Sequence, residues 1–388
     1  MKLVSSFEER PKYFLDTFLI PLPKMTRVAC LADVWAAAFL KWCNQSSLGW
    51  MRNSKILCRR QNDFLFIEVA SPIAFSQSHN SLLNSLLDGF GEEQKWSPHL
   101  VAHLIADTPE LSSVNAWLWR CVDGIDGSRF AWNTGEPIEQ DDSLVDDIVR
   151  FHDAISRPPT GSGWCCISNR IPLGSHQSQR EISKQTGLDA PSRVARISPT
   201  GLTRVAQTKE AGAEYGLIAP WGRAQTMSEI YSRVVVAWAL SSSSSNVYLP
   251  LPPAGSSVGY SFQAQLLIEK GSALFTLRGT ADRNYIALND SEFTKALDDF
   301  ECIGLDHRTL RSAKESLGVV FQSAWEEPRG RHGLLASTQM ATGTALHIDA
   351  LQEQIAAVDD ESANNSLMSI DFGSSALVLA TTGISEEK

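Results

Sequence analysis

The hexapeptide Gly333-Leu334-Leu335-Ala336-Ser337-Thr338 decides how this sequence is read. It follows a helical stretch, Leu310 to Trp325, in which Leu310, Ala313, Leu317, Val320, Phe321 and Ala324 share one face. Pro328 and Gly330 end that helix, so the short apolar run after them reads as a buried strand. A second run, Ala376-Leu377-Val378-Leu379-Ala380, reads as another strand, introduced by Ser369-Ile370-Asp371-Phe372-Gly373-Ser374-Ser375. Helix, strand, helix, strand is the alternation of a layered α/β domain.

The same signals continue upstream. Periodic apolar residues predict helices over Arg27 to Cys43, Ser78 to Phe90, Ser143 to Ile155 and Met227 to Leu240, with Gly89 and Gly91 marking the end of the second. Phe293 to Phe300 also reads as helical. Strands are expected at Ile56 to Arg60, Phe64 to Val69, Trp164 to Ser168, Arg193 to Ile197, Tyr260 to Glu269 and Ser272 to Arg278. Trp117 to Val122 and Arg129 to Trp132 form a predicted hairpin around Asp123-Gly124-Ile125-Asp126-Gly127. The five serines Ser241 to Ser245, followed by Leu249-Pro250-Leu251-Pro252-Pro253, have linker composition. The expected class is therefore α/β: a mixed α+β N-terminal domain over 1–240, a linker over 241–258 and a layered α/β C-terminal domain over 259–388. No internal repeat appears at solenoid periods.

Composition narrows the function classes. The chain has 388 residues, net charge −10 and a pI near 5.3, which disfavours nucleic acid as the main partner. Seven scattered cysteines show no Cys-x-x-Cys spacing, and vicinal Cys165-Cys166 reads as core, so a reducing, cytoplasmic setting is expected. The N-terminus has no apolar targeting core, and Asp33 and Lys41 interrupt the one candidate span; no membrane role is expected.

Three constellations bear on chemistry. His99 and His103 would share a helix face, as zinc ligands do, but the glutamate of a zinc protease is missing between them. Asp141, Asp142, Asp146, Asp147, His152 and Asp153 form an acidic segment that reads as a solvated face, with a divalent-ion site as the alternative. Arg331, His332 and Gly333 precede the predicted strand, and Asp371 and Gly373 precede the other. If those strands are parallel neighbours, all five residues collect at one end of a sheet, where α/β domains bind ligands. There Arg331 would pair with a phosphate bidentately, His332 would donate to it, and Gly333 would let it approach the backbone. No phosphate loop and no Gly-x-Ser-x-Gly elbow occurs.

The run from Leu310 through His332-Gly333-Leu334-Leu335-Ala336-Ser337 to Asp371-Phe372-Gly373-Ser374-Ser375-Ala376-Leu377-Val378-Leu379 resembles the bacterial diadenylate cyclase domain, and more closely its non-catalytic sensor relatives. Asp371-Phe372-Gly373 stands where that family has Asp-Gly-Ala, and its Arg-His-Arg is lacking. The resemblance implies a nucleotide or cyclic dinucleotide as ligand, no cofactor, no catalysis, and a role in bacterial stress or antiphage signalling. The competing expectation is a scaffold or interaction subunit with a protein partner. Eleven tryptophans, three of them (Trp117, Trp119, Trp132) on the predicted hairpin, motivate it. A metal-dependent enzyme built on the acidic segment is the third.

Overall fold

A computed structural model describes residues 2–6, 11–23, 25, 28–45, 51–61, 64–73, 79–106, 122–123, 142–156, 164–170, 196–197, 200–206, 213–223, 226–241, 261–269, 272–281 and 304–381. In chain order the first half gives β1 (Lys2–Ser5), β2 (Phe14–Pro21), α1 (Val28–Gln45), β3 (Lys55–Gln61), β4 (Phe64–Ser71), α2 (His79–Glu93), α3 (Pro98–Ala106), β5 (Val122–Asp123), α4 (Asp142–Ser156), β6 (Cys165–Ser168) and β7 (Arg196–Ile197). The second gives β8 (Thr200–Ala206), β9 (Ala213–Pro220), α5 (Met227–Ser241), β10 (Ser261–Glu269), β11 (Ser272–Ala281), α6 (His307–Glu326), α7 (Pro328–Thr342), α8 (Ile348–Ala356), α9 (Asp360–Met368) and β12 (Ala376–Thr381). The fold is α/β.

By contact the chain forms two compact units. One takes Met1–Glu110, Ala131–Gly187 and Ser323–Leu346; the other takes Leu111–Phe130, Leu188–Gln322 and His347–Lys388. The serine- and proline-rich stretch beyond Ser241 lies outside the described residues, and β9 and β11, on either side of it, pair in one sheet.

The first unit is a five-stranded sheet ordered β1-β6-β2-β4-β3. Pairing is parallel between β1 and β6 and antiparallel elsewhere. Both faces are covered, so β2 is buried almost throughout, with Leu15, Phe18, Leu19 and Ile20 all at 1% exposure or less. A strand buried on both faces loses the alternation that betrays a strand in sequence. On one face α1 sets Leu31, Trp35, Phe39 and Trp42 against the sheet and against Leu82, Leu86 and Phe90 of α2 and Ile148 and Phe151 of α4. Trp35 stacks on Phe39 at 4.9 Å between ring centres and meets Phe90 edge-on at 5.1 Å. The glycines expected to stop α2 lie inside it. A Cβ on Gly91 would come 2.4 Å from His152 Nε2, and one on Gly89 would come 3.3 Å from Trp42. These glycines serve close packing, not termination.

The other face is covered by α7. Leu335, Ala336 and Met340 pack on Val4, Leu19, Phe66, Cys165 and Ile167. The predicted strand at 333–338 is therefore the middle of a helix. Pro328, read as a stop, occupies the first turn of α7, where its missing N–H costs nothing. A single residue, Glu327, separates α6 from α7, and the corner is tight: a Cβ on Gly330 would stand 2.2 Å from the carbonyl oxygen of Ala324. Backbone cannot yield there cheaply. Gly330→Ala is expected to cost about 1–3 kcal/mol, read as a lower denaturation midpoint.

The second unit has the sheet order β10-β11-β9-β12-β8, with β12 parallel to β8 and the rest antiparallel. Read from β8, this repeats the first unit: an outer strand parallel to a late one, then the second strand, then a hairpin. Even the helix recurs, since α1 follows β2 as α5 follows β9. Trp221, at the end of β9, donates from Nε1 to the carbonyl of Ser366 in α9 at 2.7 Å and meets Phe275 of β11 edge-on. Of the α6 face read from sequence, Leu310, Ala313 and Leu317 are buried, while Val320 is 43% exposed. Of the predicted hairpin only Val122–Asp123 is described, paired with Arg196–Ile197. Trp117, Trp119, Trp132 and the expected helix at 293–300 lie outside the described residues.

Candidate functional site

Two polar knots sit inside the first unit. Beneath α7, His332 has no exposed surface, and both ring nitrogens are engaged: Nε2 lies 2.5 Å from Ser6 Oγ, Nδ1 2.9 Å from Thr17 Oγ1. A neutral imidazole has one donor and one acceptor, so the two hydroxyls satisfy it completely. Burial drives its pKa down to about 3, helped by the neighbouring Arg331 and opposed by Asp16. Arg331 donates to the carbonyls of Trp325 (3.0 Å) and Ser6 (3.1 Å) and lies over the Trp325 ring. One turn earlier Arg329 pairs with Glu68 of β4 at 3.0 Å. At the far end of the helix Lys2 donates to Gln339 Oε1 and to the Gly343 carbonyl. A cation on the closing carbonyls complements the helix dipole.

The second knot lies near the start of β2. Asp16 is fully buried; it accepts from Ser168 Oγ at 2.6 Å and from Arg170 Nη2 at 2.5 Å. Arg170 also reaches Ser71 Oγ and stacks over Phe14. Both knots are interior, and they join strands and helix to one another. The thiols are interior as well: burial pushes Cys165 up to about 12 and Cys166 well above the ordinary thiol range, so neither is a nucleophile.

The second unit has a groove of about 590 Å³ between α6 and the junction of α8 with α9. Its floor includes Leu310, Ile355 and Val358, each 3% exposed. Its rim charges are spent on the protein itself. Lys314 Nζ donates to the carbonyls of Ala356 and Val358 at 2.8 and 2.5 Å, closing the end of α8. Asp359 caps α9 in a reciprocal capping box with Ser362, and those hydrogen bonds hold its carboxyl below the usual range. His307 pairs with Asp360 at 3.0 Å and Arg311 with Glu315 at 2.8 Å. The groove offers apolar surface and shape, not a convergent set of reactive groups.

The residues proposed from sequence as ligand contacts fall in different places. Arg331, His332 and Gly333 belong to α7 in the first unit, with Gly333 exposed on its outer side. Asp371 and Gly373 belong to the second unit. There Asp371 is exposed and caps a short 3-10 turn, accepting from the Ser374 N–H at 3.1 Å. His99 and His103 both lie exposed on α3. In the acidic segment Asp147 accepts from Arg150 at 2.7 Å; Asp141 lies outside the described residues. Among the described residues no group of three or more His, Cys, Asp or Glu side chains is placed to hold a metal ion. Sequence reasoning missed Asp16, Thr17 and Ser6, the partners that fix the half-buried Arg170 and the buried His332. The only hint was polar residues inside an otherwise apolar run, Phe14-Leu15-Asp16-Thr17-Phe18.

No family model matches the chain, and no curated protein matches its sequence. Solved structures match it over nearly its whole length. A chain of Complex III from Candida albicans is 10% identical, with 98% of this chain and 93% of that one covered and a TM-score of 0.67. The peptidase M16 inactive domain from Pseudomonas fluorescens is 10% identical, with 99% and 96% covered and a TM-score of 0.66. A protease from Helicobacter pylori follows at 10% identity, 98% and 96% covered, and a TM-score of 0.64. The likeness is one of fold, and it corrects the resemblance to the diadenylate cyclase domain and with it the nucleotide-sensing and antiphage reading. The physical reason is local: the segment taken for the cyclase strand, Gly333 to Thr338, is helical, and its histidine faces the protein interior.

Proposed function

We propose that this chain is a non-catalytic, protein-binding subunit that uses an M16-like fold as a scaffold. One observation carries the reading: the fold of an inactive peptidase M16 domain, and of a chain of Complex III, extends over at least 98% of the residues here. Sequence chemistry agrees with it. Neither His-Glu-x-x-His nor the reversed His-x-x-Glu-His occurs anywhere in the chain. The polar clusters of the first unit are buried and internally paired, which is the arrangement of a framework rather than of a site that turns over substrate. Among the described residues no helix is long and apolar enough to cross a membrane. Four buried free thiols, Cys43, Cys58, Cys165 and Cys166, fit a reducing, cytoplasmic setting.

The test has two arms. Purified protein with added zinc is expected to leave a quenched fluorescent peptide library uncut above the blank rate. In a native extract, the chain is expected to elute well above its own 42.6 kDa on size exclusion. Zinc-dependent cleavage, or elution as a free monomer, removes the scaffold reading.

A further inference from the structure

We propose that α7 is an acid-released cover: it docks on the first sheet with His332 uncharged and lifts as the medium acidifies, baring the apolar strip Val4, Leu19, Phe66, Cys165 and Ile167. The geometry carries this. His332 is the one side chain of α7 with both a fully buried ring and hydrogen bonds to two other segments, Ser6 and β2. Neither of those ring contacts is a carboxylate.

The charged groups around it give an imidazolium little support. On α7 itself Arg331 lies next in sequence, and Arg329 is held by Glu68 of β4. From β2, Asp16 is an anion that favours the charged ring, but it is committed to Arg170 and Ser168. On β6 the Cys165 thiol stays uncharged, and from β1 Lys2 brings a further cation to the far end of the helix. Protonation in place therefore puts a charge on a fully buried ring beside Arg331. Lifting the helix instead hydrates the ring.

The direction follows from linkage. Docked, the ring titrates near 3; released, near its ordinary 6.5. Below 6.5 the released state binds a proton that the docked state refuses. Docking thus weakens by about tenfold for each pH unit lost between 6.5 and 3, and by about thirtyfold from pH 8 to pH 5. The opposite face behaves otherwise. Burial pushes Asp33 of α1 up to about 6 against the pull of Arg60. Its folded form keeps a proton that the unfolded form gives up, so acidification from 6 towards 3.8 favours α1 in place.

Hydrogen exchange on the whole chain at pH 8 and pH 5, each normalised to intrinsic exchange, tests the proposal. Amides of Leu335 to Gln339 are expected to lose about thirtyfold in protection at pH 5 while those of α1 hold theirs. In His332→Gln the loss in α7 should vanish. Equal protection of α7 at both pH values overturns the proposal. So does parallel loss in α1, which would mean global unfolding, or an undiminished pH effect in His332→Gln. Should that variant fail to fold, the wild-type contrast between α7 and α1 decides alone.

Discussion

Arg170→Ala is expected to remove about 3–5 kcal/mol from the first unit, because it leaves the Asp16 carboxylate buried without its cation. The Asp16 side chain has no exposed surface and that of Arg170 only 11%. The pair lies where β2 begins and β6 ends, with Asp16 opposite Ser168 in register. Ser168 would remain as one hydrogen-bond donor, far too little to replace a guanidinium. Denaturant unfolding followed by tryptophan fluorescence measures the loss as a lower midpoint. The double variant Asp16→Leu with Arg170→Met separates the explanations, since it removes both charges and keeps apolar volume. It should recover most of the stability. A double variant no better than Arg170→Ala would mean that the arginine acts through packing on Phe14, not by neutralising Asp16.

Trp35→Ala is the other large effect, again about 3–5 kcal/mol. Trp35 is fully buried and meets four rings: Phe39 and His152 face to face, Phe90 and Phe151 edge-on. It also donates from Nε1 to His152 Nδ1 at 3.2 Å, so its removal deprives a half-buried imidazole of a partner. The cavity cannot close easily, because α2 and α4 meet α1 through the same cluster and Gly91 already sits tight on His152. Calorimetry should show the first unit melting several degrees lower, whereas Trp35→Phe should cost markedly less. Equal losses in the two variants would shift the weight from ring volume to the indole N–H.

These two sites show what the sequence made readable. The α1 periodicity, with Leu31, Trp35, Phe39 and Trp42 on one face, pointed directly to the observed packing. The strands Lys55–Gln61 and Phe64–Ser71 coincide closely with the runs Ile56 to Arg60 and Phe64 to Val69 expected from composition. By contrast β2, the strand that holds Asp16 and Thr17, carries no alternation because both its faces are covered. The difference at 333–338 has another root. Proline stops many helices, yet it is equally at home in the first turn of one, and only the one-residue corner at Glu327 shows which. Neither knot was legible. Ser6, Thr17 and His332 are brought together by tertiary structure across more than 300 positions, and no local spacing encodes that. The repeat of sheet order between the units escaped for a similar reason: it lives in strand pairing, which is not written as residue identity.

The strand order also sets a timetable for biosynthesis. In each sheet a strand from late in the unit slots between two earlier ones: β6 between β1 and β2, β12 between β8 and β9. The first sheet then waits for α7, encoded some way beyond it. At a synthesis rate of about 5–20 residues per second, the stretch from β6 to α7 takes roughly 10 to 30 seconds to emerge. Through that interval the strip of Val4, Leu19, Phe66, Cys165 and Ile167 has no helix of its own to bury it. Contacts this distant in sequence make folding slow and leave sticky surface on show. The first unit is therefore incomplete until residues 328–342, far beyond its sheet in the chain, have been made.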